Sequence, residues 1–240
     1  MKRVIGFLLD LTPARRQAAA LEKANLRIYG ARSLDFYDLT KPTQVLSPVQ
    51  IRGMAGGLPL FYWSDVPIAL LAQLKPDELA ERKESMEEWW GIANAEQALD
   101  ILNWLQREGH RQKFKAQLKH QSLHWRRQFA AHPLPAVQSV ENIAAWDYVR
   151  SVCVARWCHD YGYLSWEQVW PFIDVATRRA LRDFTSWESF AASFLAGRLM
   201  WSPESDSHAE LADIVAYLVK SPDSPWRYVA WHDYPAQATM

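Results

Sequence analysis

Residues 140–158 read VENIAAWDYVRSVCVARWC. Wound into a helix, Val140, Ile143, Ala144, Ala145, Trp146, Tyr148, Val149, Val152, Cys153, Val154, Ala155, Trp157 and Cys158 cover nearly every face. A helix that is apolar all round sits in the middle of its domain. The pattern predicts a central helix opened by Ser139 and closed by Gly162, with other helices packed around it. Asp147, Arg150 and Ser151 break the apolar surface as one narrow stripe, because positions i, i+3 and i+4 are helical neighbours; Arg156 points the other way. A carboxylate placed there is costly unless it is paired.

The segment after Ser186 offers a partner. Trp187, Phe190, Ala191, Phe194, Gly197 and Trp201 fall on one helical face, with Arg198 in their midst. A buried guanidinium normally finds a carboxylate. Asp147, Arg150 and Arg198 are therefore expected to converge in a cluster lined by Trp146 and Trp201. Two readings of that cluster stay open. It is a buried ion network that fixes helix register, or it is a pocket in which the arginines grip an anion, Asp147 acts as base and the tryptophans stack on a ring.

Farther out, helix starts recur. Asn94-Ala95-Glu96-Gln97, Ser165-Trp166-Glu167-Gln168, Thr185-Ser186-Trp187-Glu188 and Ser207-His208-Ala209-Glu210 have capping-box spacing, and Gly109 stands where a helix-ending glycine belongs. Trp166, Val169, Trp170, Ile173 and Ala180 make a buried stripe, with Asp174 and Arg178 as an exposed pair. Trp226 and Trp231 read as anchors for the C-terminal segment. Residues 76–240 thus form an α-helical domain. Residues 1–75 differ: Thr12-Pro13 starts a helix over Ala14 to Asn25, Leu26–Tyr29 and Leu34–Tyr37 lean towards β around Gly30, and prolines and glycines interrupt the remainder. The expected fold is mainly α: an irregular helical bundle with a less regular N-terminal lobe that has room for a short β-hairpin, the whole packed as one globular unit.

The 240 residues are sufficient for a hydrophobic core. Lys+Arg 27 balances Asp+Glu 27, so no global field draws the chain to nucleic acid or an anionic membrane. Two cysteines exclude a disulfide framework and a four-cysteine zinc site. Spaced five apart on a helix, Cys153 and Cys158 diverge by roughly 140° and read as buried small hydrophobes. The apolar run after Met1-Lys2-Arg3 stops at Asp10, too early for a secretory signal, and no stretch is long enough to span a bilayer; a cytoplasmic protein is expected. His120 and His124 share a helical face, but Gln121 stands where a zincin helix carries its glutamate, so no metal or other cofactor is expected. Residues 76–100 are acidic and 107–127 basic. With Phe114 and Trp125, the basic block reads as a nucleic-acid stripe, or else the two blocks largely cancel.

Several of these residues carry a family resemblance. Trp90-Gly91-Ile92, Ala98-Leu99, Trp104-Leu105 and Gly109-His110-Arg111 are followed by Ala145-Trp146-Asp147-x-x-Arg150, Gly162-Tyr163-Leu164-Ser165 with Trp170, Phe184-Thr185-Ser186-Trp187-Glu188-Ser189-Phe190 and Gly197-Arg198-x-x-Trp201. Their order and spacing over residues 89–201 resemble the bacterial domain of unknown function 1266. The resemblance implies a mainly helical domain with Trp146, Asp147, Arg150, Gly197, Arg198 and Trp201 among its signature positions. It implies no substrate, cofactor or catalytic residue.

With no catalytic motif, a neutral surface and many aromatics suited to interfaces, the expected role is non-enzymatic: an interaction module, such as an immunity or accessory protein that binds another protein. The alternatives are an enzyme, hydrolase-like or acting on an anionic ligand, that uses a pocket at Asp147, Arg150 and Arg198, and a nucleic-acid binder using residues 107–127.

Overall fold

The computed structural model describes residues 13–41, 44–120, 127, 140–202 and 208–235. The fold is mainly α. In chain order the elements are α1 (Pro13–Tyr29), β1 (Tyr37–Asp38), β2 (Gln44–Val45), α2 (Pro48–Met54), a 3-10 turn (Ala55–Gly57), α3 (Leu58–Ser64), β3 (Leu70–Leu71), β4 (Gln73–Leu74), α4 (Pro76–Trp90), α5 (Ala95–Arg107), α6 (Gly109–His120), α7 (Ala144–Asp160), α8 (Trp166–Asp183), α9 (Trp187–Trp201), α10 (His208–Lys220) and a short 3-10 helix (Pro225–Arg227).

The central helix is α7. Every residue from Ala144 to Arg156 is buried, and α3, α5, α6, α8 and α9 all pack on it. It starts at Ala144, and Ser139, expected to open it, lies outside the described residues. Residues 140–143 are not helical; Asn142 Oδ1 accepts the Ala144 N–H at 3.0 Å and Ser193 Oγ the Ala145 N–H at 3.2 Å, so the first donors of the helix are met without a local N-cap side chain. Gly197 sets how closely α9 approaches: a Cβ there would lie 2.3 Å from Trp146 Cβ, so the two backbones meet at a distance that only glycine permits.

Local signals elsewhere are shifted by tertiary contacts. Leu26–Tyr29 is the last turn of α1 rather than a strand; Leu26 is buried and the Gly30 N–H closes the helix on the Leu26 carbonyl at 3.1 Å. Packing and a C-terminal cap outweigh a β preference of a few tenths of a kcal/mol. The strand pairs are nested: β1 pairs antiparallel with β4 and β2 with β3. What closes them is the whole α2–α3 segment instead of a tight turn, so the proline- and glycine-punctuated stretch holds two helices. Ser165 forms a complete capping box with Gln168. The α9 cap is Ser186, one residue after Thr185, and it exchanges hydrogen bonds with Ser189 rather than Glu188. Ser207 lies outside the described residues.

Two buried arginines staple less regular chain to this frame. Arg156, with no exposed surface, donates to Asp160 Oδ1 at 2.8 Å and to the carbonyls of Pro67 at 2.8 Å and Leu70 at 3.1 Å, holding the strand region on α7. Arg52 holds the C-terminal segment through the Ala230 and Trp231 carbonyls. Both expected anchors are seated there: Trp226 stacks on Trp187 with centroids 4.5 Å apart and donates to the Ala55 carbonyl at 2.9 Å, and Trp231 is buried. Asp174 pairs with Arg178 at 2.9 Å and accepts from Tyr234 at 2.6 Å, so it also pins this segment. Replacing Asp160 with alanine would leave the Arg156 cation buried without its counter-ion. Chemical denaturation should register a loss of about 3–5 kcal/mol with the helical circular dichroism of the native state retained.

Candidate functional site

The helices α5 and α6 are separated by one residue, Glu108, and no Ser, Thr, Asn or Asp precedes Gly109 to cap α6. The first N–H groups of a helix need acceptors. Asp147 supplies them from α7: Oδ1 accepts from the His110 N–H at 3.0 Å and Oδ2 from the Arg111 N–H at 2.8 Å. The carboxylate thus serves the donors an N-cap side chain would serve, from a different helix, and its charge faces the positive end of α6. Gly109 makes the approach possible. Its φ is +56°, and a Cβ there would lie 2.2 Å from Asp147 Oδ2.

Two guanidinium groups complete the carboxylate's shell. Arg150 Nη2 donates to Oδ1 at 3.2 Å and Arg111 Nη1 to Oδ2 at 3.2 Å. Arg111 also donates to the carbonyls of Leu105 at 2.8 Å and Gln106 at 2.6 Å, closing the last turn of α5, and Arg179 donates to the same Gln106 carbonyl. One fully buried side chain therefore ties the end of α5 and the start of α6 to the central helix. Four hydrogen bonds occupy the four acceptor sites of a carboxylate. With no surface exposed, Asp147 presents no lone pair to a substrate.

Arg150 sits in an aromatic cage, its Cζ 4.8 Å from the Trp146 ring centroid, 5.3 Å from Trp90 and 5.8 Å from Trp104. Burial pushes its guanidinium down to about 10, while the Asp147 charge pulls it upward. Its Nη2 also lies 2.8 Å from His110 Nδ1. Because the guanidinium can only donate, Nδ1 accepts, and His110 is neutral with its proton on Nε2. Burial, then the Arg150 charge, holds His110 down at about 4 against the pull of Asp147. Although His110 Nδ1 is 4.0 Å from Asp147 Oδ1, burial and the nearer arginine together outweigh that carboxylate.

Of the residues expected to converge, Trp146, Asp147 and Arg150 do so. Arg198 enters one layer out, with Cζ 5.0 Å from the Trp201 ring and 5.9 Å from Trp146. The place expected for it beside Asp147 is taken by Arg111, which arrives with the α6 backbone that the carboxylate already binds. Trp201 packs on Trp146 and meets His110 edge-on, yet is 41% exposed. Arg111, His110, Trp90 and Trp104 were not linked to Asp147 by helical spacing. The readable signal was Gly109 opening a helix with no local cap. Phe114, expected on a nucleic-acid stripe, is buried and stacks on His110; Trp125, His124 and the His120 side chain lie outside the described residues. Among the described residues no group of His, Cys, Asp and Glu could hold a metal ion, and no helix is long and apolar enough to cross a membrane. Cys153 and Cys158 are buried, and burial pushes the Cys158 thiol up to about 12.

Asp147→Asn keeps the shape but removes the charge that balances two guanidinium groups. It should cost about 3 kcal/mol or more of unfolding free energy in a urea titration. His110 adds a pH dependence. Its folded value lies below the ordinary 6.5, so its contribution is present above that value and is lost as pH falls towards about 4, where the unfolded chain takes the proton more readily. Melting temperature should drop across that window, and His110→Gln, which accepts from Arg150 without titrating, should flatten the drop.

The tryptophan-lined ion cluster and the helices it joins fall within a known sequence family. No curated protein and no solved structure matches the chain. The model of one family, DUF1266, described as a protein of unknown function, matches residues 85–231, from α4 to the buried Trp231. The match takes in more than half of the chain, which therefore belongs to the DUF1266 family.

Proposed function

We propose that this protein is a non-enzymatic interaction module that docks a partner protein on the patch above the ion cluster. The observation that carries this reading is Trp201: a tryptophan at the end of α9, 41% exposed, packed on Trp146 with Arg198 over its ring. Tryptophan and arginine on a preordered support are the residues that dominate binding energy at protein interfaces. Beneath them, the saturated and enclosed Asp147 argues against a general base at this position. The cluster is then the foundation of the patch, and an immunity or accessory role fits it.

Affinity capture of the tagged chain from lysate of its own host, read by mass spectrometry through a salt-wash series, tests the proposal. A stoichiometric partner that survives high salt, is lost with Trp201→Ala and is kept with Trp89→Ala is the expected result. Trp89 is the control because it is 72% exposed on a different helix. Melting curves verify that the variants fold. A chain that elutes as a clean monomer with no partner, or a partner indifferent to Trp201, overturns the reading.

A further inference from the structure

Arg52, on α2, is 2% exposed, yet it differs from the other buried arginines. Arg150 and Arg156 each hold an aspartate. Arg52 takes part in no ion pair among the described residues. Its Nε donates to the carbonyls of Ala230 at 3.0 Å and Trp231 at 3.2 Å, and its Nη2 to Trp231 at 2.5 Å. Its Cζ lies 4.5 Å from the Trp187 ring centroid and 5.1 Å from that of Trp231. These contacts use one edge of the guanidinium and supply partial charges only. Nη1 donates to nothing among the described residues, so the Nη1–Nη2 edge is left with unused N–H groups, and no carboxylate among those residues comes within ion-pair distance of the cation.

Arg52 also lines a cleft of 570 Å³ between the start of α2 and the C-terminal segment, a volume within the range of small-molecule sites. Val49, Ile51, Tyr228 and Val229 give it apolar walls. Its one carboxylate, Asp233, is exposed to solvent, as is His232; burial holds the Arg52 guanidinium down at about 10, outweighing the upward pull of Asp233. The Tyr234 hydroxyl is already committed to Asp174 at 2.6 Å. We propose that this cleft binds a small oxyanion ligand, a carboxylate or phosphate monoester on an apolar or aromatic body, with the open edge of Arg52 gripping the anion and Val49, Ile51 and Tyr228 contacting the body. A planar fork of parallel N–H groups matches two oxygens of either anion, and an uncompensated buried cation is the group such a ligand would neutralise.

The test titrates the full chain with phenyl phosphate and, separately, with benzoate, following tryptophan emission because Trp187 and Trp231 flank Arg52, with calorimetry alongside. Saturable binding of either probe is expected, and comparison of the two identifies the preferred anion. Arg52→Met removes the grip but also the staple on the C-terminal segment, so a second variant is needed. Val49→Glu, at a cleft residue 38% exposed, places a carboxylate in the site without disturbing the core. It should weaken binding at least about tenfold with an unchanged melting temperature. If neither probe saturates, or if Val49→Glu binds as tightly as the parent, the proposal is overturned.

Discussion

A single buried carboxylate ties the helix pair α5–α6 to the central helix. Asp147 gives its four acceptor sites to the His110 and Arg111 N–H groups and to the guanidinium groups of Arg111 and Arg150. An ion so deep is tolerated only when every lone pair is used. That requirement constrains its neighbours. Gly109 must lack a Cβ, Arg111 must reach back to the α5 carbonyls, and His110 must stay neutral to accept from Arg150. The tryptophan cage around Arg150 and the closeness of α9 at Gly197 rest on the same helix.

Arginine recurs wherever irregular chain meets the central helices. Arg156 gathers two carbonyls and Asp160, Arg111 gathers two carbonyls and Asp147, and Arg52 gathers the carbonyls of residues 230 and 231. Five donors in a fixed fork let one side chain satisfy backbone acceptors that no secondary structure reaches. In this way carbonyls at Pro67, Leu70, Leu105, Gln106, Ala230 and Trp231 find donors outside the helix and strand ladders. It also sets Arg52 apart as the member of the set with no carboxylate.

The architecture supports two surfaces of different chemistry. Trp201 and Arg198 lie above the Asp147 cluster and both pack against the Trp146 ring. The cleft beside Arg52 owes its shape to the C-terminal segment, which Trp226, Trp231 and Tyr234 fasten to α8, α9 and the turn after α2. The proposed protein surface and the proposed small-ligand cleft do not compete, because the elements around them are held by separate staples.

The nearly all-apolar circumference of residues 144–158 was enough to place α7 at the centre, because a helix whose polar residues make only a narrow stripe has nowhere else to go. Capping chemistry at Ser165 and Asn94 was legible for a similar reason, since donor and acceptor lie within one turn. The stripe of Asp147 and Arg150 identified a polar cluster in the core. Helical spacing could not supply its other half, because Arg111 and His110 come from a helix whose start is fixed by the carboxylate itself, and Arg198 reaches the tryptophan rings instead. Periodicity reports which residues share a face of one element. Which faces meet, and which donors then find an acceptor, is decided by distances between elements far apart in the chain, and these exist only once the helices have packed.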